Sequence, residues 1–386
     1  MPSESQQLEA RFLTSITQLA GDEWNALTGT DYPFVRFEFL KALEDSGSTD
    51  AASGWQPCHA TLYRGDELLA IMPLYLKSHS YGEYVFDWSW ADAWRRHGLN
   101  YYPKLVTAIP FTPATGPRIC TRAGEEHAPL VRAMLAAVQQ FATEQEVSSW
   151  HVLFPQAEDA EVLAAAGMST RLASQFHWFN RGYGNFDDFL AAFNSRKRKS
   201  LRRERRRVEE QGITLVRHQG AQITEEDWSR FYHFYQLTYA KRSGHGGYLT
   251  REFFQSIGET MPEQCLMISA LQEGRAVAGS LCFQSADTLY GRYWGCEQEL
   301  DCLHFEACYY QGIEHCIEQG LERFDPGAQG EHKIQRGFEP IVTRSSHWIA
   351  DPGFAAAIED FTQREYSHIE NYIEQAAQYL PFKQTP

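Results

Sequence analysis

Residues 302–311, "CLHFEACYYQ", set an imidazole and a carboxylate two positions apart. His304 and Glu306 are both groups that take up and return a proton once a site tunes their pKa. They stand where an apolar strand pattern gives way to a helical one. Ligands gather at such places, at the carboxyl ends of strands and at helix N-termini. The competing assignment is local: Glu306 favours the helix N-terminus electrostatically and His304 caps it.

A second string, "PGAQGEHKIQRGF" (326–338), is the densest polar run in the chain. Gly327, Gln329 and Gly330 precede a short basic helix, and exposed backbone N–H groups together with Lys333 and Arg336 suit a phosphate or a carboxylate. A third, "KSHSYGEYVFD" (77–87), combines His79, Glu83 and Asp87 with aromatics, as a pocket wall would. Glu83 and Asp87 are an even number apart, so a regular strand aims both at one face, where they could bind or deprotonate an amine. The alternative is a structural ion pair with Arg95 or Arg96. Arg292, on the aromatic strand "LYGRYWG" (289–295), joins these as a candidate pocket residue. There is no Gly-x-Ser-x-Gly elbow, and "GHGG" (244–247) signals a flexible loop only. Cys296, Cys302, His304 and Cys308 lack the spacing of a paired zinc site, so no metal is expected.

The charge is concentrated in "SRKRKSLRRERRRVEEQG" (195–212), with nine bases and three acids. The formal net charge is -15, so this segment at +6 leaves -21 for the rest. Leu201 and Val208, seven apart, mark its apolar side. Such a run is commonly a solvated face. Here mutual repulsion calls for an anion: RNA phosphate, a nucleotide diphosphate on a precursor, a coenzyme A phosphate, or acidic groups of the protein itself. Arg198, Arg202 and Arg205 are the donor- or phosphate-binding candidates. The acidic remainder should repel nucleic acid and anionic membranes elsewhere.

These groups need scaffolds. A chain of 386 residues makes more than one domain. With 43% hydrophobic and 14% aromatic residues it can pack cores and is not disordered. No apolar run reaches membrane-spanning length. "MPSESQQLEARF" has neither a basic nor an apolar signal region. Eight scattered Cys read as reduced thiols, and the expected location is the cytoplasm.

The order of elements repeats. Hairpins are expected at 58–76 and 265–284, aromatic strands at 82–90 and 289–295, and helices at 129–146 and 305–320. Strands follow at 150–155 and 322–326, then short helical segments closed by Gly at 164–168 and 334–338. Both halves end in a strand carrying His-Trp, at His177-Trp178 and His347-Trp348. This is an α/β plan with mixed sheets. The Gly-rich "RGYGN" (181–185) is the natural joint, giving domains 1–180 and 181–386. Asn185, Asn194 or Ser195, and Thr224 are expected helix N-caps, and Gly212 ends the basic helix. A long amphipathic helix is expected at 353–380.

Several strings, among them "PLYLKSHSYGEYVFDWSWADA" (73–93), "YYPKLVTAIPFTPATGPRI" (101–119), the basic helix, "LYGRYWGCEQELDCLHFEACYYQGIE" (289–314) and "PGAQGEHKIQRGFEP" (326–340), resemble the FemAB-like proteins. The resemblance runs from about residue 30 to the C-terminus. It implies tandem GNAT-like (acyl-CoA N-acyltransferase type) domains. It also implies an N-acyltransferase moving an acyl or aminoacyl group onto an amine, such as a peptidoglycan precursor or an amino-acid derivative. In the wider Fem family the donor is aminoacyl-tRNA. Many members carry a long antiparallel helical arm in the second domain; no such insertion is legible here. The 326–338 string matches the Fem pattern of a Gly-containing loop, Lys, then Gly-Phe. "PFTPATGPR" (110–118) matches a Gly-Pro loop that implies a place for Arg118 near the acceptor, although a rigid turn would also explain it.

Acyl transfer to an amine needs a proton acceptor and donors for an oxyanion, and no covalent nucleophile if the partners are held together. The site is expected between the halves or over the second sheet. Glu306 and His304 are its catalytic candidates, and His79, Glu83, Asp87, Arg118 and Arg292 its acceptor pocket. No tightly bound cofactor is expected; acyl-CoA or aminoacyl-tRNA would be the co-substrate. The alternative is a non-catalytic module recognising a cell-wall precursor or RNA through the basic helix.

Overall fold

The two expected hairpins form, each closed by the turn its glycine allows. In the computed structural model, which describes residues 8–244, 246–328 and 330–383, His59–Arg64 pairs with Glu67–Met72, and Cys265–Gln272 with Arg275–Gln284. At the second turn Glu273 (φ +52°) and Gly274 (φ +79°) both have positive φ, the combination a two-residue turn needs to match strand twist.

The chain forms two compact units. The first comprises Met1–Ala173 with Thr343–Glu370. It holds a four-stranded antiparallel sheet, in the order Leu8–Leu13, His59–Arg64, Glu67–Met72, Cys120–Thr121. In its second group of strands Lys104–Thr107 runs parallel to Ser149–Leu153. Helix His127–Glu144 buries Leu130, Val131, Met134, Leu135 and Val138 against the apolar residues of both groups, among them Leu62, Met72, Leu105 and Trp150.

The second unit comprises Ser174–Val342 with Asn371–Pro386. Its strands run in the order Ile213–Gln219, Cys265–Gln272, Arg275–Gln284, Thr288–Cys296, Arg323–Asp325. The first three pairings are antiparallel, and Thr288–Cys296 is parallel to Arg323–Asp325. The helical stretch Leu303–Gln319 links this parallel pair and buries Tyr310, Ile313 and Cys316 beside Phe324 and Phe338.

The division differs from a cut at 180/181. The strand Ser169–Phe179 that closes the first half of the sequence pairs through Trp178 and Phe179 with Arg323–Asp325, in the second unit. The strand Glu339–Ile349 that closes the second half pairs through Ser345–Ile349 with Ser149–Leu153, in the first. Each half thus gives the later part of its last strand, from Ser174 and from Thr343, to the other unit. Helix Pro352–Ala377, close to the expected 353–380, is likewise divided, at Glu370/Asn371.

Local signals hold well. Asn185, Asn194 and Thr224 cap their helices by accepting from the N–H three residues on, and Gly212 (φ +71°) follows the basic helix Ser195–Glu210. One expected strand is replaced: residues 82–87 form a loop, and Trp88–Arg96 is a helix. Trp88 and Trp90 alternate like strand residues, but Trp90 and Trp94, four apart, are the buried pair, packed with Tyr101, Ile349 and Ile358. The expected helix at 164–168 runs earlier, as Ala157–Ala165. All eight cysteines are free.

Candidate active site

The connection between Thr288–Cys296 and its helix departs from regular backbone twice. Cys302 has φ +64°, a left-handed conformation unfavourable for a side chain with a Cβ. Four residues on, Glu306–Tyr310 winds as a π-helix, a form often found at functional sites. Strain of this kind persists where surrounding structure over-determines it.

His304 lies between the two irregularities. Its ring meets Trp294 at 5.5 Å and Tyr309 at 5.4 Å. Neither ring nitrogen bonds to a described residue. Burial, aided by the positive field of His332, Arg242, Lys333 and Arg336, pushes its pKa down to about 4. At neutral pH it is an uncharged imidazole able to accept a proton. It faces a cavity of about 390 Å³ whose lining includes Lys241, Arg242, Trp294, Cys302 and Phe305. That volume suits a small molecule or a reactive group.

Glu306 is held by the basic helix. Its carboxylate accepts Nε (3.0 Å) and Nη2 (2.9 Å) of Arg205 and the Gln311 amide at 2.8 Å. Arg205 also holds Glu314 and stacks on Phe186 at 4.5 Å. Both carboxylate oxygens are thus occupied by donors.

Lys333 is buried and donates to the Gly327 carbonyl at 2.6 Å. Burial outweighs the pull of Asp325 and lowers its pKa to about 8, so the ammonium is charged at neutral pH but poised to lose its proton. Asp325, at the end of its strand, is held by Arg292 Nη2 (2.6 Å) and by the N–H of Gly327 (2.9 Å). His177 Nε2 lies 3.6 Å from it. The Tyr309 ring centre lies 5.4 Å from that of His304 and 6.0 Å from the Lys333 ammonium, so the two groups share a neighbour, although Lys333 does not itself line the cavity. Gly327 (φ +89°) and Gly330 (φ +106°) shape the loop; Gln329 lies outside the described residues. Residues 331–336 form a 3-10 helix. Arg336 is buried, bonded to Glu204 and to the hydroxyl of Tyr310, and stacked on Phe305 at 3.4 Å. Its guanidinium nitrogens all donate within the protein, to Tyr310, the His332 carbonyl and Glu204.

The basic helix is partly neutralised by the protein itself. Besides Arg205, Arg202 pairs with Asp187, Arg207 with Asp301, and Lys197 donates to Gln335. Arg196, Arg198, Lys199, Arg203 and Arg206 have no described side-chain partner. Four of these, at 196, 199, 203 and 206, recur at helical spacing and make one exposed stripe.

The first-unit candidates converge in a different way. Glu83 and Asp87 share a loop, not a strand, and meet at Lys104, which donates to Glu83 Oε2 at 2.8 Å, to Asp87, and to Ser80 Oγ at 2.9 Å. Their ion-pair partner is therefore Lys104; Arg95 and Arg96 pair with Asp92. Burial raises Glu83 to about 7 and lowers Lys77 to about 7, whereas at Asp87 burial is outweighed only by the Lys104 charge together with hydrogen bonds from Lys104 and Tyr101, which hold the carboxyl well below its usual range. His79 bonds to the Ser53 carbonyl at 2.9 Å. Arg118 is fully buried and donates to the carbonyls of Leu153, Pro117 and Ala114. It fastens the 110–118 loop, where Gly116 packs so close to Tyr32 that a Cβ would lie 2.3 Å from its ring.

Sequence reasoning passed over Lys104, Lys241, Arg242, Asp325 and His177 as site residues. A lone lysine in the apolar "YYPKLVTAIP" and a carboxylate ending the strand "ERFD" were the available signals.

A family model described as peptidoglycan biosynthesis/recognition, FemAB-like, matches residues 15–384. The chain belongs to the FemAB-like family. Among solved structures, FemX is similar with a TM-score of 0.54 at 12% identity, covering 88% of this chain and 98% of that one. The C-terminal domain of a putative lysylphosphatidylglycerol synthetase from Agrobacterium fabrum gives 0.53 at 10%, covering 87% and 93%. A tandem GNAT protein from the clavulanic acid biosynthesis pathway gives 0.48 at 11%, covering 90% and 99%. No curated protein matches the sequence. This FemAB-like chain therefore has a mixed α/β fold like that of FemX. Among its described residues no helix is long and apolar enough to cross a membrane.

Proposed function

We propose that the protein is an N-acyltransferase whose chemistry runs in the second unit. The observation that carries this reading is His304, an uncharged imidazole without a hydrogen-bond partner among the described residues, facing a cavity on a strained strand–helix connection. The acceptor amine adds to the donor's carbonyl carbon to give a tetrahedral adduct. His304 takes the proton from its nitrogen. The Lys333 ammonium offsets the charge that grows on the oxygen. Collapse of the adduct expels the donor's alcohol or thiol, which leaves with a proton returned by the imidazole. The family description favours a peptidoglycan precursor amine as acceptor, and the likeness to FemX and to a lysylphosphatidylglycerol synthetase domain agrees with an aminoacyl group. The donor is aminoacyl-tRNA or acyl-CoA. Eight free thiols and the lack of a spanning helix among described residues agree with work in the cytoplasm.

The test supplies precursor amines with aminoacyl-tRNA or with acyl-CoA and detects the amide by mass spectrometry. One donor should give product with the wild type, and His304→Ala should slow transfer by about 10²–10⁴. Full activity in a folded His304→Ala protein would end the proposal.

A second reading rests on the exposed stripe Arg196, Lys199, Arg203 and Arg206, which suits a phosphate backbone without requiring turnover. Salt-sensitive RNA binding with no product from either donor would favour it.

A further inference from the structure

The His304 imidazole is oriented by rings, since its nitrogens bond to no described residue. Trp294 meets it at 5.5 Å with 85° between the planes, Tyr309 at 5.4 Å and 89°, and Phe305 at 5.8 Å and 73°. Edge-on packing of this kind holds a ring only as firmly as its neighbours are held. Trp294 is set in the sheet, in register with Ser280. Phe305 and Tyr309 stand on the irregular connection after Cys302 and need support from elsewhere.

Both are supported by the 331–336 helix. Arg336 lies over the Phe305 ring at 3.4 Å, and the Tyr309 hydroxyl lies 2.9 Å from Nε2 of His332. Burial pushes the Tyr309 phenol up, so it keeps its proton. Partial burial, with the positive field of Arg336 and Lys333, pushes His332 down, so its imidazole is neutral. The phenol therefore donates and the imidazole accepts. The loop is shaped for this contact. A Cβ on Gly330 would lie 2.4 Å from the His332 ring and push it aside. The same ring meets Phe305 at 5.7 Å. His332 and Arg336, on either side of Lys333, thus hold the two walls of the His304 box that the sheet does not hold.

We infer that Tyr309 is a positioning residue for His304, pinned through its hydroxyl by His332, so that the base and the Lys333 loop are held as one unit. This rests on the reading of His304 as the proton acceptor. Filling space needs only the ring of Tyr309; positioning needs its hydroxyl, and experiment can separate the two. Tyr309→Phe removes one oxygen and keeps the ring. His332→Ala, at an exposed position, removes the same hydrogen bond from the other side. The full chain, labelled at its histidine rings, is titrated by NMR, with His304→Ala identifying the His304 signal, and transfer kinetics are measured on the same proteins. Wild-type His304 should titrate at about 4. In each variant a loosened box admits water, and the titration should rise by about one unit or more. kcat should fall about 10–10²-fold with KM held within about twofold. The double variant should lose no more than the worse single one, because both side chains act through one bond. Should Tyr309→Phe fail to fold, His332→Ala decides. The inference is overturned if the His304 titration is unchanged in the folded variants, whatever their stability, or if the losses multiply in the double variant. It is equally overturned if the variants keep wild-type kcat while His304→Ala is impaired. The titration needs no substrate, so a shifted titration together with full transfer by His304→Ala would count against the proposed chemistry alone.

Discussion

Both units bury a lysine near the carboxylate of a strand end or loop, yet the two lysines differ in what holds them. In the first unit Lys104 binds Glu83 and Asp87 directly; burial alone would lower its pKa, but the two carboxylates outweigh it and raise it. In the second, Arg292 occupies Asp325, Lys333 is left with a carbonyl, and burial lowers its pKa to about 8. The residue types are nearly the same. The identity of the carboxylate's partner decides whether the ammonium is locked or available. The first cluster has the features of an internal fastening, and the second those of a group placed for chemistry.

The strongest break of this comparison is Lys104→Met, which strands two buried carboxylates. It should destabilise the protein by about 3–5 kcal/mol, read from urea unfolding. Lys333→Ala should slow transfer by about 10²–10³ and leave unfolding little changed. The pH profile sharpens the same point. Activity that needs the Lys333 ammonium should fall as pH rises through about 8, and Lys333→Arg should move that limb upward. A loss of rate with no change in the alkaline limb would assign Lys333 to support of the loop only.

Stability should also respond to acid in both units. Burial lowers His151 to about 3 and His177 and His315 to about 4. Their folded pKa values lie below the unfolded ones. The unfolded chain therefore binds more protons below about pH 6.5, and stability should decline from there toward pH 4. Urea midpoints across that window check it, and a flat profile would contradict buried neutral imidazoles. The smallest effect is expected at the exposed stripe. Arg203→Glu with Arg206→Glu should change stability by no more than about 0.5 kcal/mol each, since neither has a side-chain partner among the described residues.

What was legible in the sequence was local. Asn185, Asn194 and Thr224 act on an N–H three residues away, and Gly274 acts on its own turn, so their signals lie within a few residues. The order of elements and the resemblance carried the fold. Pairings across long separations were hidden. Arg205 reaches Glu306 across 101 positions, and Lys104 reaches Glu83 and Asp87 across 21 and 17. Nothing near any of these residues names its partner. The exchange of closing strands was hidden for the same reason, because the register of Ser345 with Leu153 is set by the assembled sheet. In the candidate site, His304 and Lys333 stand out in the sequence by residue type and position. The capture of Glu306 and Arg336 by the basic helix does not, because a run of like charge gives no sign of which members are already paired.

The most direct measurement compares transfer by two folded proteins. One carries Glu83→Gln, Asp87→Asn and Lys104→Met together, replacing the first cluster without stranding a charge. The other carries His304→Ala. The account predicts near wild-type transfer in the first and a loss of about 10²–10⁴ in the second. Loss in the first with activity retained in the second would move the chemistry to the first unit and contradict it.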